Sequence, residues 1–155
     1  MTSSGTTAAF PDKQETARIV SAARISRGLS WKSLAEELDC PPVWTVAALL
    51  GRHPVPQDKA ETACRLLGLG DDIVTALVAQ PYRVADPALR SDPTIYRFHE
   101  ALDVYGAALK ELIHEEFGDG IMSAINFRLS MERHPDPAGD RVVVTFDGKF
   151  LPYQW

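Results

Sequence analysis

The sequence predicts an α+β protein in two parts, an all-α bundle followed by one long helix and short antiparallel strands. Three observations carry that prediction. Apolar residues recur at helical spacing up to about Ala79, a second helical stripe runs from Asp92 to Phe117, and after Ser123 the period changes from about 3.6 residues to 2. The boundaries read as a flexible tail over 1–12, a bundle over 13–80, a linker over 81–91 and a C-terminal domain over 92–155.

The first helix follows from Ala17, Ile19, Val20, Ala23 and Ile25, running from Thr16 to Ser26 with Arg27-Gly28 as its stop. Ser30 caps a second helix whose apolar set is Trp31, Leu34, Ala35 and Leu38, and Cys40-Pro41-Pro42 breaks it. A third spans Val43 to Leu50 and ends at Gly51. Pro56-Gln57-Asp58 opens a fourth through Ala60, Ala63, Leu66 and Leu67, closed by Gly68 and Gly70, and Asp71-Asp72 start a fifth that reaches about Ala79. These lengths and the short turn before Val43 resemble a helix-turn-helix, the basis of an alternative reading as a DNA-binding regulator. A base-reading helix needs Arg, Lys, Asn or Gln on its face, however, and Pro42 to Leu50 offers only Thr45. The third helix is therefore expected to face inward.

In the second part, Asp92 is the expected N-cap and Pro93 the first helical residue, where its missing N–H costs nothing. Phe98, Leu102, Tyr105, Leu109 and Leu112 then form a narrow apolar stripe. Beyond it, Ile125, Phe127, Leu129 and Met131 alternate with Asn126, Arg128, Ser130 and Glu132, the pattern of a half-buried strand. Arg141 to Phe146 reads as a second strand, and Asp147-Gly148 as a hairpin turn into Lys149-Phe150-Leu151. Two or three strands beside one helix leave edges unpaired, so another copy of the chain is expected to complete this domain.

Composition bounds the function. With 155 residues, 45% hydrophobic and 24% charged, the chain has enough apolar content for an ordinary core. A net charge of −5 argues against nucleic acid or anionic membrane as a partner. No apolar run approaches the roughly 20 residues that cross a bilayer, and Met1 to Ala9 lacks a signal peptide's basic and apolar regions, so the cytoplasm is the expected location. Cys40 and Cys64 fall in no CxxC and near no His at ligand spacing, which favours free thiols over a disulfide or a metal site.

The chemistry-bearing residues are few. Arg97 and Glu100, three apart on one helix, set a permanent cation beside a carboxylate, although most such pairs are solvated and worth a few tenths of a kcal/mol. Ser123 follows a Gly118-Asp119-Gly120 run without the second glycine of a nucleophile elbow. His114-Glu115-Glu116 starts like a zinc-protease motif and has no second His four residues on; His53, His99 and His134 are scattered.

Longer motifs sharpen these residues. Asp92-Pro-Thr-Ile-Tyr-Arg-Phe98 to Tyr105-Gly106, the run from Leu112 through Gly118-Asp-Gly-Ile-Met-Ser123 to Phe127, and Asp147-Gly-Lys-Phe-Leu-Pro152 resemble the C-terminal catalytic domain of the cyanase (cyanate hydratase, or cyanate lyase) family. Thr45 to Gly51 resembles that family's N-terminal bundle, so the likeness runs from about Ile19 to Pro152. The resemblance implies an enzyme of cyanate detoxification. It would turn cyanate and its co-substrate bicarbonate into carbamate and carbon dioxide, with no metal or organic cofactor. It also implies Arg97, Glu100 and Ser123 as catalytic residues, and a homodecamer of five intertwined dimers with sites shared between subunits. Two small anions in one pocket call for a fixed cation, the role expected of Arg97. Ser123, the backbone N–H groups of the Gly118 to Ser123 turn and, more weakly, Asn126 are expected to donate further hydrogen bonds, with Glu100 orienting Arg97 or moving a proton.

Overall fold

A computed structural model describes residues 10–155; positions 1–9, where most of the expected tail falls, lie outside the described residues. The chain divides into two compact units between Arg83 and Val84.

Five helices build the first unit: α1 (Lys13–Ser26), α2 (Trp31–Glu37), α3 (Pro42–Leu49), α4 (Gln57–Leu67) and α5 (Asp71–Val78). Local chemistry fixes their ends. Helix α1 begins before its apolar stripe because the Asp12 carboxylate accepts the Glu15 N–H at 2.8 Å, and Ser30 does the same for the Ser33 N–H of α2 at 2.9 Å. Helix α4 stops at Gly68, whose φ of 68° is a left-handed conformation suited to glycine. Val20, Leu34, Leu38, Leu49, Leu67 and Leu77, each at most 2% exposed, form the shared core. Lys13 extends across the bundle to donate from Nζ to the Leu77 carbonyl at 3.0 Å, and burial there lowers its pKa.

Helix α3 turns inward. Thr45, its one polar side chain, is buried and donates from Oγ1 to the Pro41 carbonyl at 3.0 Å, while the half-buried Trp44 ring stacks on His53. No side chain that reads bases stands on this helix, and the regulator reading loses its recognition surface. Both cysteines are free. Cys64 sits within the core, where burial, reinforced by Asp72 and Asp71, pushes its thiol up to about 11.

The second unit holds α6 (Pro87–Ser91), α7 (Pro93–Phe117), β1 (Gly120–His134) and β2 (Arg141–Pro152). Within the stretch expected as a linker, Asp86 accepts the Ala88 N–H and Pro87 supplies the first residue of α6. Asp92 caps α7 as expected, accepting the N–H groups of Thr94 and Ile95 at 2.9 and 3.0 Å.

The strands correct two expectations. Asp147 and Gly148 make no turn; they lie inside β2, opposite Arg128 and Phe127, and the chain reverses over residues 135–140. That loop contains Pro135 and Pro137, which lack the N–H a ladder requires, and Gly139 at φ 126°, so the reversal settles there despite the turn preference of Asp-Gly. The second correction concerns the expected anion-cradling turn. Gly120, Ile121 and Met122 belong to β1 and pair with Pro152, Leu151 and Phe150, which leaves only Gly118 and Asp119 as a bend.

Among the described residues the sheet has these two strands alone. Helix α7 runs for 25 residues and, among the described residues, none of them is buried; Leu102 in its stripe is 56% exposed. Within the second unit, one hairpin cannot enclose one long helix.

Candidate functional site

Arg97 and Glu100 stand in the opening turns of α7, three residues apart on one face. The Arg97 Nη1 donates to Glu100 Oε2 at 2.5 Å. Both side chains remain largely in water, so the pair contributes little to stability. Its effect is directional. One guanidinium nitrogen is tied to the carboxylate, and the planar group keeps its other N–H donors for a second acceptor.

Ser123 lies on β1 where the ladder is interrupted. Met122 pairs with Phe150 and Phe127 with Gly148, so residues 123–126 of β1 face Lys149 alone on β2, a bulge that bends the strand. The Ser123 Oγ holds this bulge closed by accepting the Ile125 N–H at 3.1 Å and the Asn126 N–H at 2.9 Å, and the residue is 5% exposed. A hydroxyl has one proton to donate and two lone pairs to accept with. Both lone pairs here are engaged by backbone N–H groups, which leaves the proton as the group's remaining hydrogen-bonding capacity. Ser123 is thus arranged as a donor.

The bulge also accounts for a residue the alternation misplaced. Ile125 was expected on the buried face of the strand and is 97% exposed, because the extra residues shift the register before Phe127. Asn126 contributes its backbone N–H to Ser123. With Ile125, Phe127, Arg128, Asp147 and Lys149 it lines a shallow depression beside the bulge, where Arg128 pairs with Asp147 at 3.0 Å. Arg128 and Lys149 were not singled out as site residues from the sequence. The cationic residues on the polar positions of two paired strands were the available signal, but only the true register brings them to one place.

The structure brings Arg97 to Glu100 and Ser123 to Asn126, and it leaves these two groups apart. From Arg97 to Phe117 (117 − 97 residues) α7 covers about 30 Å at about 1.5 Å per residue. The six further residues to Ser123 recover at most about 20 Å even if the chain doubles straight back. Among the described residues no hydrogen bond or ion pair joins the groups. Of the set-aside histidines, His114 lies in the last turn of α7, where its carbonyl accepts the Gly118 N–H, and His134 sits 3.6 Å from Glu132 at the end of β1. No three His, Cys, Asp or Glu residues gather as metal ligands among the described residues.

Residues 87–155 match the family model described as the cyanate lyase C-terminal domain, and residues 13–81 match that of the cyanate hydratase N-terminal domain. The cyanate hydratase of Mycolicibacterium vanbaalenii is 65% identical over 135 residues, covering 86% of this chain and 88% of the relative. That of Pseudomonas syringae pv. tomato is 50% identical over 145 residues, 93% of each chain. The crystal structure of cyanase from T. urticae superposes with a TM-score of 0.80 at 37% identity, covering 88% of this chain and 96% of the other.

Proposed function

Because the chain belongs to the cyanate hydratase family, also named cyanate lyase, we propose that it decomposes cyanate with bicarbonate at a site built from Arg97, Glu100 and Ser123. The bicarbonate oxygen adds to the cyanate carbon, and the bicarbonate proton passes to nitrogen. A second proton from solution arrives as the bond to the former bicarbonate carbon breaks, releasing carbon dioxide and carbamate. Carbamate takes up a further proton and decays to ammonia and a second carbon dioxide.

The adduct is a dianion, which sets what the residues have to do. Arg97 presents a positive charge on a planar fork able to meet two oxygens together. Glu100 repels anions while ionised, so its contribution is to hold Arg97 by Nη1. Ser123 supplies a neutral donor, and the observation that carries this assignment is its pair of engaged lone pairs. A donor already positioned by the backbone stabilises developing negative charge without reorganising. Asn126 is a weaker binding candidate, its side chain being at the exposed rim of the bulge.

Arg97 lies in the opening turns of α7 and Ser123 lies on β1, beyond the far end of that helix, which supports a site completed by residues from different copies of the chain. The uncovered stripe on α7 supports the same assembly, and a ring of five intertwined dimers is the form we propose for it. The reading needs no metal or organic cofactor, and free thiols agree with a cytoplasmic setting. Ammonia release from cyanate, measured with and without bicarbonate, tests the proposal. Turnover that requires both anions is expected; bicarbonate-independent hydrolysis, or none, would overturn it.

A further inference from the structure

We infer that Gly148 is a positioning residue for the reaction, acting through the bulge that holds Ser123, an inference that rests on the proposed site. Gly148 is the β2 residue opposite Phe127, where regular pairing resumes after the bulge. A Cβ built on it runs into the Met122 side chain and lies 2.6 Å from the Ser123 carbonyl oxygen, closer than real Cβ atoms come to such an atom. The strands therefore approach at this point only because Gly148 has no side chain. The atom a side chain would displace belongs to the peptide that follows the Ser123 side chain directly, and the next two N–H groups along, those of Ile125 and Asn126, are the ones that fix its hydroxyl.

A methyl group at 148 has two ways to relieve this contact. Met122 can swing aside, since its side chain is flexible, but the Ser123 carbonyl is backbone and can yield only if the bulge shifts. A shift of that kind turns the Ser123 O–H away from the position it must serve, while the strand ladder on either side keeps its register.

Gly148→Ala is expected to lower kcat by about tenfold to a hundredfold, the range associated with displacing a reacting group by a fraction of an ångström to about an ångström. In the Ser123→Ala background the same substitution is expected to change turnover less than twofold, because the hydroxyl it displaces is already gone. Hydrogen exchange in the assembled protein gives a readout independent of activity. Exchange at the Ile125 and Asn126 amides is expected to rise in Gly148→Ala as it does in Ser123→Ala, with the first unit unchanged. If Gly148→Ala fails to assemble, Gly148→Ala with Met122→Ala removes the side-chain clash and leaves the carbonyl contact; this protein is expected to assemble and remain slow. Wild-type turnover in Gly148→Ala, multiplied losses in the double variant with Ser123→Ala, or unaltered exchange at residues 125 and 126 would each overturn the role of Gly148. A wild-type protein without cyanate turnover would instead remove the proposed function, and the exchange measurement would still decide whether Gly148 shapes the bulge.

Discussion

Ser123 Oγ closes the bulge and carries the proposed donor, and removing it tests both. Ser123→Ala deletes that proposed donor and also strips two backbone N–H groups of their acceptor. We expect turnover to fall about a hundredfold to a thousandfold, as for loss of a preorganised donor. Stability should drop by about 1 to 3 kcal/mol, the cost of two lost hydrogen bonds whose partners are partly buried. Steady-state assays and urea denaturation check the two effects separately. For Arg97, lysine keeps the charge and loses the planar fork, so Arg97→Lys should be badly impaired and Arg97→Leu inactive, both with unchanged thermal midpoints because the side chain is solvated. Spacing alone revealed the pairing of Arg97 with Glu100, since three residues on a helix is a local relation. The acceptor role of Ser123 was hidden. It depends on a bulge whose far side is set by Gly148, in another strand, and local periodicity carries no information about which residues stand opposite.

Elements were most legible where a single local rule determines them. Ser30, Asp92 with Pro93, and Gly68 mark helix ends by caps and backbone preference, and each is found at a helix boundary. The reversal before Arg141 was already implied by the spacing of the strands; what was misread was a further turn at Asp147-Gly148, whose turn chemistry is overridden by pairing with Arg128 and Phe127. Helix α4 supplies a pH prediction. Its Cys64 thiol is raised from 9.0 to about 11, so the unfolded chain loses this proton first, and the stability it contributes is complete below about pH 9 and declines as pH rises toward about 11. Lys13, with its lowered pKa, acts in the opposite sense over the same alkaline range. Cys64→Ala should therefore flatten the alkaline loss of stability in denaturant titrations. At pH 8 a thiol reagent should modify the half-buried Cys40 of the folded protein and spare Cys64.

At the scale of the molecule, the separation of Arg97 from Ser123 makes the proposed shared site testable without a structure of the assembly. Arg97→Leu and Ser123→Ala proteins, each inactive or nearly so alone, should regain turnover when unfolded together and reassembled as mixed oligomers. Some sites then draw an intact arginine from one copy and an intact serine from another. Mixed oligomers no more active than their parents would place both residues of each site in one chain.

Helix α7 leaves a further mark, on the order of events as the chain folds. The first unit has a closed core and can form by a first-order process in a single molecule. In the second, no residue of α7 is buried among the described residues, and the proposed partner copy would supply its cover. With the proposed assembly, its folding contains a second-order step. Upon dilution from urea, the far-ultraviolet signal of the bundle should recover at a rate independent of concentration, whereas cyanate turnover should return faster as the chain concentration is raised.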